Sequence, residues 1–110
     1  MASTKKYLDL IIDLFSELPG LSFRPMMGEY VVYYQNKVVG GLYDNRFLLK
    51  PLTSAVQILS DAGIEFSMAL PYEGAKEMLV ADIDNVELTC SLIRAIATEL
   101  PAHGSRQKRK

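Results

Sequence analysis

Any chemistry in this chain has to start from a short set of side chains: His103, Cys90 and the carboxylates Asp82 and Asp84. His103 is the single histidine, and it lies past the last apolar segment in a tail of small and basic residues. A general base must be held within hydrogen-bond reach of the proton it takes, and such a tail does not hold it. Cys90 falls on an apolar stripe, where cysteine packs as a small hydrophobe, and no sequence neighbour stabilises its thiolate. Asp82 and Asp84 could pair at a cation, but no further ligand accompanies them. Asp84 also stands three residues before Glu87, the spacing of a capping box. Gly40-Gly41 sits inside an apolar run, not between a strand and a helix start. It reads as a bulge or a close backbone approach rather than a phosphate loop. No catalytic, cofactor or metal residues are expected, and the chain reads as non-enzymatic.

The tyrosines pose a different question. Tyr30, Tyr33, Tyr34 and Tyr43 crowd one stretch, and aromatic side chains on a sheet can stack nucleobases. That mode needs a cationic groove. With Arg106, Lys108, Arg109 and Lys110 set aside, eight basic residues face thirteen acidic ones, a net of −5. A body of that charge repels phosphates, so nucleic acid is expected to be touched only weakly, through the tail. The tyrosines are then assigned to packing or to a protein interface. Met26 and Met27 read as gap-fillers of the core.

The elements that must position these residues follow from periodicity. Tyr7, Leu8, Ile11, Leu14, Phe15 and Leu18 recur at helical spacing, which predicts a helix over 4–18 ended by Pro19-Gly20. Strands are expected at 30–34, 38–43 and 46–50, joined by turns at Gln35-Asn36-Lys37 and Asp44-Asn45. Ser54 with Gln57 forms a capping box for a helix through Ala62, ended by Gly63. Two more strands, 66–70 and 78–81, flank the loop 71–76. A last helix, capped by Asp84, stops at Pro101. The order α-β(3)-α-β(2)-α predicts a two-layer α+β fold, a largely antiparallel sheet with helices on one face. A single domain over 1–101 and a disordered basic tail at 102–110 are expected. No apolar run reaches the ~18 residues of a membrane span, and the first residues do not form a signal peptide. One cysteine fits a reducing compartment, so the cytoplasm is the expected location.

Alternation along the strands bears on partners. Tyr30, Val32 and Tyr34 line one face while Val31 and Tyr33 line the other, so neither is polar. Val38 and Val39 divide in the same way, as do Leu42 and Tyr43. Helices can cover one face only. Tyr30, Val31, Val32, Tyr33, Tyr34, Val38, Val39 and Tyr43 are therefore candidates for an interface, and a homodimer through the meander is expected.

These residues also carry a resemblance. The run RPMMGEYVVYY at 24–34, the turn QNKVV, the segment FLLKP and the later PYEGAKEMLV, followed by a terminal helix, resemble the TfoX/Sxy N-terminal domain family. The similarity covers roughly residues 7–101. Met27 stands where that family usually has phenylalanine, and Glu29 where a second glycine is common. The resemblance implies the same α-β(3)-α-β(2)-α order and a regulatory role acting through protein contacts. In competence regulators, which control the transcription of DNA-uptake functions, this domain is joined to a second, carboxy-terminal one. At this length no second domain is expected, and the family supplies no catalytic residues. The expectation is a stand-alone interaction module with an unknown regulatory protein as partner and no cofactor. The alternative is a small-molecule-binding domain or an unrecognised enzyme, for which Arg24, Glu29 and Lys76 are the polar residues beside the motifs.

Overall fold

Tight hairpins build most of the sheet. The computed structural model describes residues 3–100, so the tail at 102–110 lies outside the described residues. The elements are α1 (Lys5–Leu14), β1 (Leu21–Met26), β2 (Glu29–Tyr34), β3 (Lys37–Leu42), β4 (Phe47–Leu49), α2 (Thr53–Asp61), β5 (Met68–Ala69), β6 (Met78–Val80) and α3 (Val86–Glu99). The two-residue turns Met27-Gly28, Gln35-Asn36 and Asp44-Asn45 all have positive φ at both positions, the type I′ geometry that matches strand twist. They chain β1 to β4, and β6 then pairs with β4 to give the order β1-β2-β3-β4-β6-β5 with every pairing antiparallel.

The fold is α+β, as expected, with one strand more than the sequence reading gave. Four strands, not three, precede α2. Arg24-Pro25 reads as a break in sequence, yet Pro25 pairs opposite Tyr30 inside β1. A proline is tolerated there because β1 is the sheet edge, where half the N–H groups have no partner strand to lose.

Alternation then sorts the side chains. Val32, Leu42, Phe47, Leu49 and Leu79 pack with Ile11 and Phe15, with Ala55 and Leu59 of α2, and with Leu92, Ile93 and Ile96 of α3. Phe15 meets Phe47 edge-on at 5.5 Å between ring centroids. The three helices therefore share one face of the sheet. Val39 is fully buried with this set because the β2–β3 register shifts between Val32 and Tyr33, which turns one extra β3 residue inward. Gly40, next to the shift, lets β4 approach closely. A Cβ there would run into the Leu48 carbonyl and the Leu49 backbone of β4. The glycine pair is thus the close approach that its position suggests, while the bulge falls on Val39 just before it.

The helix ends differ from the sequence reading in instructive ways. α1 stops at Leu14, short of Pro19-Gly20, and Thr4 caps its start by accepting from the Tyr7 N–H. Asp9, Asp13 and Glu17 repel one another toward a helix end that already carries negative partial charge. Asp84 is not the cap of α3. Asn85 is, its Oδ1 accepting from the Leu88 N–H at 3.2 Å, while the Asp84 N–H is taken by the Asp82 carboxylate. Asn85→Ala is therefore expected to cost about 0.5–2 kcal/mol and Asp84→Ala much less, read as denaturation midpoints.

Ser54 and Gln57 form no capping box either, and Leu52 precedes α2 without a side-chain cap. The cap comes from another helix. Glu99 near the end of α3 accepts from the Ser54 N–H at 2.8 Å. The Ser54 hydroxyl, then the Ser54 and Thr53 backbone N–H groups, hold the Glu99 carboxyl below its ordinary range. A lowered folded-state value means stability that is present above the ordinary carboxylate range and lost as pH falls through the lowered one. Glu99→Gln should lower the thermal midpoint at neutral pH, with the two curves converging in acid. α2 ends as expected at Gly63, whose φ of +68° lets the Gly63 and Ile64 N–H groups bond back to Ser60 and Leu59. No helix of the described residues is long and apolar enough to cross a membrane.

Candidate functional site

The face of the sheet away from the helices is where side chains are left to act. Register places Ser22, Arg24 and Met26 of β1, Val31 and Tyr33 of β2, Val38 and Gly41 of β3, and Leu48 of β4 on it. The eight interface candidates therefore divide. Val32 and Val39 are fully buried under the helices, Tyr34 is 7 % exposed, and Tyr30 packs against the same core. Val32, Val39 and Tyr34 are closed to a partner, and Tyr30, partly buried, lies on the helix side. Val31, Tyr33, Val38 and Tyr43 remain.

Segment 70–77 lies against part of this face, beside Tyr43, Val38 and Lys50. Arg46 pins it: its Nε donates to the Tyr43 carbonyl at 3.1 Å and its NH2 to the Leu70 carbonyl at 3.0 Å. Pro71 is buried, and the Tyr72 ring sits 6.3 Å from the Tyr43 ring. Tyr43 in turn lies over Gly41, where a Cβ would run into its ring. Burial, then the neighbouring Tyr72 and the Glu29 carboxylate, push the Tyr43 phenol above its ordinary value, so it stays a neutral aromatic wall.

Two hollows flank the Tyr43–Tyr72 pair. One, of about 510 Å³, is lined by Met26, Met27, Glu29, Tyr43, Arg46 and Tyr72, among others. The other, of about 410 Å³, includes Val38, Tyr43, Lys50, Pro71, Tyr72 and Lys76 in its wall. Arg24 lines neither; its guanidinium stacks 5.3 Å above the Tyr33 ring. The three polar residues beside the motifs are thus kept apart: Glu29 in one hollow, Lys76 in the other, Arg24 on the open strands.

Glu29 already has work. Its Oε1 accepts from the Ser3 N–H at 2.9 Å and the Asp44 N–H at 3.1 Å. Asn45 completes the clasp, accepting from the Thr4 N–H and donating its own N–H to the Ser3 hydroxyl. The carboxylate thus ties the start of α1 to the β3–β4 turn. Glu29→Ala is expected to cost about 1–3 kcal/mol by orphaning the Asp44 N–H and leaving the Ser3 N–H only the Gly28 carbonyl, measured by chemical denaturation.

The methionines overturn the gap-filler reading. Met26 is 44 % exposed and Met27 96 %, at the tip of the β1–β2 hairpin. Met27 also has a φ of +52°, a region that favours glycine, asparagine and aspartate. A large apolar side chain held in solvent on a disfavoured backbone is an outlier that asks for a use. Tyr72, 63 % exposed across the same hollow, was missed as well. The Met-Gly step followed by an alternating strand was a hairpin signal that could have found the tip. Nothing local marked segment 70–77 as folding back over the sheet.

Elsewhere, Cys90 lines a groove of about 610 Å³ between α1 and α3 with Asp13, Glu17, Glu87 and Arg94. Burial raises its thiol pKa, partly offset by Arg94, so it stays protonated. Among the described residues no group of three or more His, Cys, Asp or Glu side chains could hold a metal ion. His103 lies outside the described residues.

No protein-family model matches this chain. An uncharacterized 12.7 kDa protein in the trpE 5′ region of Spirochaeta aurantia is 36 % identical to it over 113 residues, covering 97 % of this chain and 91 % of that protein.

Proposed function

This chain belongs to the family of that uncharacterized Spirochaeta aurantia protein, and from the geometry of its open sheet face we propose that it is a non-enzymatic protein-interaction module. The observation that carries this reading is the Met26-Met27 tip, apolar, exposed and facing Tyr72 across a shallow hollow. Exposed methionine and tyrosine in one patch are what a protein-binding surface uses, since both bring large contact area with adaptable or rigid packing. The polar groups around them are already spent on the fold: Glu29 on the clasp and Arg46 on segment 70–77.

On this reading the chain resembles the N-terminal domain of the TfoX/Sxy competence regulators in function as well as in its motifs. It acts in the cytoplasm in transcriptional regulation of DNA uptake, through a regulatory protein partner and as a homodimer. A photo-crosslinking amino acid placed at position 72, with Gln57 on the exposed side of α2 as control, tests the surface. A discrete adduct from position 72 and none from 57 is expected. Equal adducts from both positions, or none from either, would contradict it.

A second reading has its own observation. The hollow of about 510 Å³ falls in the size range of small-molecule sites. A ligand there would have to be held mainly by Tyr43, Tyr72 and the methionines, as an apolar or aromatic compound. Saturation-transfer NMR with a fragment set separates the two readings, because a ligand site returns hits that Tyr72→Ala abolishes.

A further inference from the structure

The free edge of β1 carries backbone groups whose partner can be identified from their spacing. The Met27-Gly28 turn is closed by the Met26–Glu29 pair, and in a two-residue hairpin that closing pair exchanges its backbone hydrogen bonds. Alternation makes Arg24–Val31 and Ser22–Tyr33 hydrogen-bonded pairs too. The Gln35 N–H donating to the Gly20 carbonyl continues the same phase one step beyond the strand. Leu21, Phe23 and Pro25 must therefore direct their backbone groups away from β2, toward the open edge. The N–H groups of Leu21 and Phe23 have no hydrogen-bond acceptor among the described residues. Pro25 has no N–H to offer.

This edge is symmetric about Ser22. Leu21 and Phe23 flank it, Gly20 and Arg24 come next, and Pro19 and Pro25 frame the whole. An antiparallel pair of edge strands related by a two-fold axis sets residue i against residue 44 − i of the other copy when the axis passes through Ser22. Leu21 then meets Phe23 of the second copy, and the two exchange both backbone hydrogen bonds; the reciprocal pair does the same. All four free N–H groups are satisfied. Ser22, small and exposed, faces its own counterpart in the close, non-hydrogen-bonded position. Arg24 faces Gly20, so no cation opposes another. The prolines fall outside the paired window. An axis through Phe23 would instead press the Leu21 carbonyl against the Pro25 ring, which lacks the N–H to receive it.

We propose that two copies of this chain pair through β1, with the dyad at Ser22, joining their sheets edge to edge. Leu21 and Phe23 are only partly buried against the core in one chain, and the cross-strand Leu21–Phe23 contacts cover the remainder. The same pairing brings the two open faces, each with its Arg24–Tyr33 stack, into one continuous surface. The pairing rests on the homodimer part of the proposed function and gives it a place, whereas the Met26-Met27 patch is a separate surface whose partner binding stands if the pairing fails. A contact of four backbone hydrogen bonds is narrow, and self-association is expected at the weak end, between roughly 10 µM and about 1 mM.

Amide hydrogen exchange by NMR across that range, with light scattering on the same samples, tests it. Protection of the Leu21 and Phe23 amides should rise with concentration alongside a shift in mass from one chain to two. Ser22→Arg sets like charges directly opposite at the dyad. It should weaken the dimer about fivefold while leaving the protection of Ser22's neighbours on β2 unchanged. Several results would overturn the proposal: fast exchange of both amides at every concentration, protection at a mass of one chain, a dimer that leaves the two amides open, or a dimer indifferent to Ser22→Arg. Protection gained only when a foreign protein is added would assign the edge to another partner, and would overturn it equally.

Discussion

A chain carrying Met27→Asp should lose affinity for its protein partner by at least about tenfold while becoming no less stable. The two halves of this expectation have different causes. Met27 is 96 % exposed, so removing its side chain gives up no core packing. Its φ of +52° suits aspartate better than methionine, so the denaturation midpoint should hold or rise. In a bound complex the same side chain would be the centre of an apolar contact. Anchors of that kind cost about 2 kcal/mol or more when lost, and a charge in their place adds desolvation. Titration calorimetry of the purified pair, with a urea melt of each variant, reads both. A fall in affinity that tracked a fall in stability would mean that the tip serves the fold alone.

Gly40→Ala should act in the opposite sense, destroying the fold before it touches any surface. The added Cβ would meet the Leu48 carbonyl and the Leu49 Cα, and both are backbone atoms that cannot swing away. β3 and β4 would have to separate where Phe47, Leu48 and Leu49 are all buried. Overpacking of a tight core costs about 1–3 kcal/mol and occasionally more, and here the ladder hydrogen bonds suffer too. A loss of about 3 kcal/mol or more is expected, out of the 5–15 kcal/mol typical of a domain. Gly41→Ala should cost less, since its closest clash is with the Tyr43 ring, which can rotate, and the Tyr30 carbonyl stands 2.9 Å off, but it would move the aromatic wall that the two hollows share. Urea midpoints for the two variants rank the positions. Equal midpoints would mean that β4 yields more easily than its burial suggests.

Much of this architecture was legible in the residues. Helical spacing found the three helices, and aromatic and β-branched runs between turn residues found β2, β3 and β4. β1 escaped because Arg24-Pro25 looks like a terminator, and only the pairing with β2 shows that the proline N sits on the free edge. Asp84 and Ser54 failed as caps for a related reason. Capping-box spacing is local, whereas the cap of α2 is Glu99, 45 residues away in sequence, and that of α3 is the next residue along. The site was half legible. Alternation showed that neither sheet face was polar, but it could not say which the helices would take, so buried Val32 and Val39 stood beside Val31 and Tyr33. Segment 70–77 carries no pattern that announces its path over the sheet. It is held by Arg46, a residue whose role depends on a carbonyl 24 residues later.

The methionine methyl groups give the most direct test of the open face as the binding surface. With methyl-labelled methionine, Met26 and Met27 report on the hairpin tip, Met78 on the second hollow and Met68 on the β5 edge. Titrating the partner recovered through position 72 should shift or broaden the Met26 and Met27 signals first, Met78 less, and Met68 least. Unchanged Met26 and Met27 signals at saturating partner, with shifts at Met68 alone or at none of them, would contradict the assignment of function to this face.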